Sequence, residues 1–581
     1  MSELPDRTRN TLIALGVMQG LLLLVGHLLF KHDVWRMANN AVQFMPWFAV
    51  AAAVPVALQL ALIDVRDRRV WLFGLALAVV LALTGVYAGY SAEPSQGISG
   101  DGIAAYVIPT LIGCYVLLPF VQASFKTGHW RPAYPDLFEF AWNNGITLLI
   151  AKIFTAIFWA LLSLWAALFK VIGIGFFAEI FYSAYFAYPV TAMVFAFAIY
   201  LGRNNVNAVV TVRRIVLAVF KALLPLLAVI SLLFLAALPV MGLKPLWDTG
   251  KATALMLCLQ ILMMIFLNAV FQNGRGDPPY PNWLRKLLQA AVALLPIYAA
   301  LCAYALYLRI DQHGWSTDRF WAVLLAFVVA LHGLGYAIGA VRRQKTWMAD
   351  IATVNIAIAA LIVALSVAVN SPLLDAKRIS AASQTNRLLA GKVSTDKFDY
   401  RYLRFELGRY GNAALARLKD VADHPQAEQV RSSATFALNQ TNRWNLYQQT
   451  NIGTAQAATH FSVFPKSETL DESFLPYVTD ALTSGIVKSC LENSKRCPIL
   501  VLDLNRDRQK EYIVFHPAAR SAAVLTKTDN RWRPIGFLSI ESKWKNVKEL
   551  EDRLAKGDYA AVENPWQNLR IGRQTERLRL E

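Results

Sequence analysis

From about residue 10 to residue 370 the chain alternates long apolar runs with short polar breaks. The runs lie near 10–30, 41–63, 70–90, 103–123, 144–169, 183–202, 215–241, 251–272, 287–308, 320–341 and 350–370. A bilayer core about 30 Å thick is crossed by roughly 20 apolar residues in a helix, so the pattern predicts about eleven transmembrane helices. The least regular stretch falls between Asn144 and Leu201. There "VIGIGFFAEIFYS" fits either an interfacial helical turn joining two spans or part of a re-entrant pair. The first run exceeds a signal-peptide core and no small-residue cleavage site follows it, which reads as an uncleaved anchor.

Past Asn370 the pattern becomes that of a water-facing domain. "YRYLRFELGRYGNAALARLKDVA" and "EQVRSSATFALNQTNRW" carry apolar residues at helical spacing and are separated by "DHPQ", which predicts an antiparallel, HEAT-like helical pair. Then "PILVLDL", "KEYIVFH", "SAAVLTKT" and "RWRPIGFLSI" alternate as short strands with polar turns, and "NVKELEDRLAKGD" reads as one further helix. The predicted class is a polytopic α-helical membrane protein with a C-terminal α+β extracytoplasmic domain. Three parts are expected: a bundle over 1–370, a helical region over 371–460, and an α+β region with a small antiparallel sheet over 461–581.

Charge orients this arrangement. The chain carries a net charge of +18, but its basic residues sit largely in short loops between apolar runs rather than on a basic-aromatic surface, so no nucleic-acid partner is expected. The N-terminal tail and every second loop hold 16 Lys and Arg, among them Arg66, Arg68 and Arg69; the opposite loops hold 7. Cytoplasmic loops are the basic ones, so the N-terminus is expected in the cytoplasm. Eleven crossings then carry the C-terminal region to the far side of the membrane. Cys490 and Cys497 should meet an oxidising compartment and pair, with free thiols as the alternative. A zinc site fails on ligand count, because only His516 lies nearby in sequence. Cys114, Cys258 and Cys302 fall in spans as small apolar side chains.

Polar residues within spans are the first functional candidates. Lys152 and Lys221 lie within snorkelling reach of one face, and Glu179 falls near the other interface. His332 sits mid-span beside "GLGYAIG", whose Gly335 and Gly339 have the small-xxx-small spacing of closely packed helices. A hydrogen bond to a neighbouring span is the plain expectation for His332, and a proton or substrate role the sharper one. Gln260 and Asn355 are lesser candidates, suited to bonding between helices. Asp311, His313 and Asp318 form one local cluster in an outer loop. In "DLNRDRQKE", Asp503, Asn505, Asp507 and Glu511 have the alternating spacing that suits calcium. Yet Arg508 stands where a turn glycine belongs, and Arg506 and Lys510 repel a cation, so a degenerate hairpin loop is the favoured reading. The RGD triplet at 275–277 lies in a loop assigned to the cytoplasm and carries no function there. Motifs for a hydrolase nucleophile, a zinc protease or a phosphate-binding loop do not occur, and no cofactor is expected.

Two stretches, "ALYLRIDQHGWSTDRFWAVL" (Ala305 to Leu324) and "YLRFELGRYGNAAL" (Tyr402 to Leu415), resemble a bacterial inner-membrane family known as domain of unknown function 4153. Within the first, Trp315 suits an interfacial anchor and Ser316 or Thr317 a helix cap. The resemblance implies a polytopic cell-membrane protein and transfers no catalytic residue. Beyond the bilayer, the expected partner is a periplasmic or envelope protein, bound by a membrane-anchored scaffold or sensor. The alternative is a permease or lipid/polysaccharide translocase with a polar site near His332. A membrane-embedded transferase, with catalysis at the 311–318 loop, ranks behind both.

Overall fold

The computed structural model describes residues 5–31, 41–92, 100–274, 279–342, 347–440, 457–479, 486–492, 496–516, 521–528, 531–539, 547–561, 569–571 and 574–576. The RGD triplet and the end of the predicted helix at 441–444 lie outside them. The chain divides into two compact units, Met1–Leu438 and Asn439–Glu581.

Among the described residues, eleven helical elements of the first unit are long and apolar enough to cross a membrane. They are α1 (Asp6–Lys31), α2 (Ala41–Ala61), α3 (Arg68–Ala92), α4 (Gly100–Thr127), α5 (Tyr134–Val171), α7 (Ala184–Asn204), α8 (Val206–Met241), α10 (Ala252–Phe271), α11 (Asn282–Ala293) running on into α12 (Leu295–His313) as one element, α13 (Thr317–Val341) and α14 (Asp350–Ala368). The short α6 (Phe176–Phe181) and α9 (Lys244–Asp248) join neighbouring spans. Thus "VIGIGFFAEIFYS" forms a turn and a short connecting helix, with Phe177 and Phe181 packed on Trp165.

Among the buried clusters of the bundle, two are extensive. One joins α8, α10, α11, α12 and α13 around Met263, Leu267, Leu288, Tyr298 and Tyr336; the other joins α1, α2, α3, α4, α5 and α7 around Leu12, Leu58, Leu62 and Ile199. Large apolar side chains also face outward, with Leu72, Leu75 and Leu83 each more than 60% exposed. In water such a surface would be a liability; on spans of this length it is the lipid-facing side of a membrane protein. Close approach of α13 and α14 rests on glycine. A Cβ at Gly335 would lie 2.6 Å from the Val354 methyls, and one at Gly339 would lie 3.3 Å from Asp350 Cβ.

Three further helices belong to this unit: α15 (Ala376–Leu389), α16 (Gly408–Lys419) and α17 (Ala427–Asn439), with a π-helical turn at Tyr402–Glu406 ahead of α16. Besides the π-helical turn, α16 packs against α3 and α15, the latter a helix that periodicity does not reveal. In the second unit the four predicted strands are present as β2 (Cys497–Leu502), β3 (Glu511–Phe515), β4 (Ser521–Thr528) and β5 (Arg531–Ser539), paired antiparallel in that order. The expectation of a purely antiparallel sheet is corrected by β1 (Phe461–Phe464), which pairs parallel to β2 with Phe461 opposite Cys497. The predicted last helix is present at Val547–Ala555. One face of the sheet covers Phe474, Cys490 and Trp532; the other covers Leu550 and Leu554.

Candidate functional site

The three intramembrane candidates are placed very differently. His332 is half-buried, and its Nδ1 lies 3.0 Å from the Val328 carbonyl of its own helix, with the ring edge-on to Tyr336. Among the described residues it has no hydrogen bond to a neighbouring span. Gln260 is fully buried. Its Nε2 donates to Met256 O at 3.2 Å and approaches Cys302 Sγ of α12 at 3.8 Å.

Asn355 is the candidate that joins a constellation. Near one end of the bundle it meets Tyr134, the first residue of α5, with Asn268 from the last turn of α10 and Tyr336 from α13. Asn355 Nδ2 donates to Asn268 Oδ1 at 2.6 Å and to Tyr134 Oη at 2.9 Å, while Tyr336 Oη donates to Asn355 Oδ1. Asn268 Nδ2 donates to Tyr336 Oη at 2.7 Å and to Met264 O at 2.8 Å; Tyr134 Oη reaches Asn268 Oδ1 at 3.4 Å. Four helices far apart in sequence thus share one polar junction, in a setting where an unpaired polar group is costly. A cavity of about 240 Å³ adjoins it, bounded by α4, α5 and α14, with Tyr134, Asn268 and Asn355 at its polar end. Tyr134, Asn268 and Tyr336 escape sequence reading because each is an ordinary residue on its own helix. The only signal is a polar or amphipathic group about a turn from the end of a span.

A second polar region lies at the opposite end of the spans, where α15 and α16 meet the bundle. The last carbonyls of α12 have no intrahelical donors, and α15 supplies them. Arg387 donates to Asp311 O and Gln312 O, each at 2.7 Å, and Gln384 Nε2 donates to His313 O at 3.0 Å and Trp315 O at 2.7 Å. Trp315 N donates to Ser383 Oγ at 3.0 Å, and Thr317 N to Tyr402 Oη at 2.8 Å. The side chains of Asp311, His313 and Asp318 are exposed. The loop therefore engages α15 through its backbone, and its carboxylates do not converge on a cleft.

Beside this corner, Asp375 is 4% exposed and caps α15, accepting from the Lys377 and Arg378 amides at 2.8 and 3.0 Å. Its other oxygen accepts from Tyr87 Oη and Ser91 Oγ of α3, both at 2.8 Å. Tyr87 has then spent its proton, so Tyr410 of α16 donates to Tyr87 Oη across 2.8 Å. Arg409 lies 3.6 Å over the Tyr90 ring, a cation–π contact. Gly408 has φ +51°, and a Cβ there would lie 2.3 Å from Ser91 O.

In the 503–511 loop, Asp503 accepts from the Arg506 and Arg508 amides at 2.7 and 3.0 Å, and Asp507 from the Gln509 amide at 2.7 Å. Asn505 accepts from the Asp507 amide at 3.1 Å. Glu511, 1% exposed, accepts from the Leu504 amide at 2.8 Å. The oxygens that calcium would need serve the turn, whose Arg506 and Arg508 adopt positive φ. Among the described residues no group of three or more His, Cys, Asp or Glu is arranged to hold a metal ion. Cys490, on the helix Ile486–Glu492, is bonded to Cys497 at the start of β2, with Cα atoms 5.7 Å apart. Asp471 ion-pairs with Lys527 at 2.7 Å. The Lys527 ammonium first, and then the Ser473 hydroxyl and amide, hold its carboxyl down at about 2.

Fold and site together define a polytopic helical membrane protein that carries a small disulfide-bonded mixed-sheet unit. No curated protein and no solved structure matches the chain. The family model described as domain of unknown function (DUF4153) matches residues 47–418, and the chain belongs to that family. The matched region covers most of the bundle, the 311–318 corner, and α15 and α16.

Proposed function

We infer that this protein is a membrane-anchored scaffold or sensor of the bacterial inner membrane, with its helical platform and sheet unit in the periplasm, where they bind an envelope protein partner. The observation that carries the reading is the double attachment of α15 and α16. Asp375 and Tyr410 fix them to α3, and Gln384, Arg387 and Tyr402 fix them to the α12–α13 corner. A platform held at two separate hairpins presents a fixed surface beside the membrane. The sidedness is supported by the 16-to-7 bias of basic loop residues and by the odd number of spans. The Cys490–Cys497 bond suits an oxidising compartment.

A permease using His332 and Gln260 would need a polar cavity reaching both. Gln260 is fully buried, and the cavity beside Asn355 has mainly apolar walls and is lined by neither residue. A transferase would need its acids gathered in a cleft, whereas those of the 311–318 loop are exposed.

Two measurements test the proposal. In intact spheroplasts a membrane-impermeant maleimide should label Lys556→Cys and spare Asp6→Cys; the reverse pattern overturns the sidedness. Cross-linking of the full chain in cells should give one defined protein adduct, reduced several-fold by Asp375→Ala in membranes holding equal amounts of protein. Failure to form an adduct, together with a solute flux in reconstituted vesicles that His332→Leu abolishes, would replace the scaffold by the permease.

A further inference from the structure

The cavity beside the polar junction has features that a purely structural hydrogen-bond cluster does not require. It runs along α5 from Tyr134 to Ala141, about 10 Å at 1.5 Å per residue. Phe120 of α4, Phe138 and Trp142 of α5, and Ile356 and Ala359 of α14 make its walls apolar. At about 240 Å³ it falls below the roughly 300–1,000 Å³ of sites for bulky small molecules, so a slender occupant is required. Water is a poor occupant of its apolar stretch, where no polar group would bond it. Leaving the cavity empty forfeits the dispersion contacts of its lining. The helices that bound it, α4, α5 and α14, are long and apolar enough to cross a membrane, so their outer faces meet a bilayer.

The polar end identifies which part of a lipid it would receive. Asn268 Oδ1 already accepts the 2.6 Å bond from Asn355, and the Tyr134 hydroxyl reaches that same oxygen at only 3.4 Å. Among the bonds of the junction this is the longest. The Tyr134 proton is therefore the donor most readily turned to an oxygen placed in the cavity. Three residues before Tyr134, Arg131 is exposed, and Lys126, in the last turn of α4, is paired with Asp136 at 2.7 Å. An acyl ester has this order of chemistry: apolar chain, then carbonyl acceptor, then phosphate.

We propose that this cavity holds one acyl chain of an anionic phospholipid, with the Tyr134 hydroxyl donating to its ester carbonyl and its phosphate lying beside Arg131. The inference goes beyond the scaffold reading and depends only on the chain being a membrane protein.

The test uses the full chain reconstituted in phosphatidylethanolamine vesicles doped with a phosphatidylglycerol that carries a diazirine on its acyl chain. After irradiation, adducts on Phe138 and Trp142 should exceed those on Leu72 and Leu75 of α3 several-fold, although the latter are the more exposed to lipid. Ala359→Phe, which fills the cavity from α14, should bring that ratio to unity. Ala141→Leu should do so from α5, should the first variant not fold. Tyr134→Phe should lower retention of the probe through detergent extraction about fivefold, the factor that a net hydrogen bond of about 1 kcal/mol represents. Labelling at Phe138 and Trp142 no greater than at the α3 controls overturns the proposal, as does a preference unchanged when the cavity is filled. Equal labelling by the same diazirine on phosphatidylcholine overturns its anionic part.

Discussion

Asp471 shows how much a single residue can do at the sheet. Its carboxylate accepts from Lys527 Nζ at 2.7 Å and from the Ser473 amide at 2.8 Å, and its own amide donates to Tyr512 Oη at 2.9 Å. With the folded pKa held at about 2, below the ordinary carboxylate value near 4, the ionised form stabilises the folded state. That stabilisation is complete above about pH 4 and is lost as pH falls toward 2. The side chain is about a third exposed, so solvent screening keeps the effect modest. Hydrogen-exchange protection of the strands β1 to β5 in the full chain, taken relative to the intrinsic exchange rate at each pH, should fall between about pH 4 and pH 2, and Lys527→Met should flatten that dependence. Other residues mattered in ways their sequence context conceals. His332, conspicuous as a mid-span histidine, turns to its own helix, whereas Asn355 owes its place in the polar junction to Tyr134, Asn268 and Tyr336. Spacing along one helix cannot report that four helices bring such groups within 3.5 Å.

Among the elements, α13 and α14 depend on the absence of side chains. The Gly335 and Gly339 spacing was legible in the sequence, and both glycines face α14. Gly335→Leu should force the helices apart and cost about 1–3 kcal/mol, the usual penalty of overpacking. In detergent this would appear as a lower midpoint of thermal unfolding, with a smaller loss for Gly335→Ala. The apolar spans were legible because their length is set by the bilayer. By contrast, α15 was not: "AKRISAASQTNRLL" has no broad apolar stripe, since its Ser383, Gln384 and Arg387 face the backbone of the 313–315 turn and the end of α12. The parallel strand β1 was missed for a related reason. Four residues carry little periodicity, and the partner strand begins some 30 residues later.

At the scale of the whole molecule, the two stretches that carry the family resemblance become one structural feature. "GWSTDR" and "YLRFELGRYGN" touch where Thr317 N donates to Tyr402 Oη, and Gly408 and Tyr410 continue the seam onto α3. The division into two compact units predicts separable unfolding. Replacing Cys490 and Cys497 by serine together should destabilise the sheet unit by about 2.5 kcal/mol, the chain-entropy value for so short a loop. Unfolding of the bundle should stay unchanged, as followed by hydrogen exchange in each unit. The sequence by itself determined the membrane class, the tally of spans, the strands β2 to β5 and the cysteine pair, because each depends on local length, period or spacing. Tertiary structure alone decided which polar residues meet, how α15 closes the end of α12, and that a slender cavity opens beside Tyr134. Those depend on contacts between segments that lie far apart along the chain.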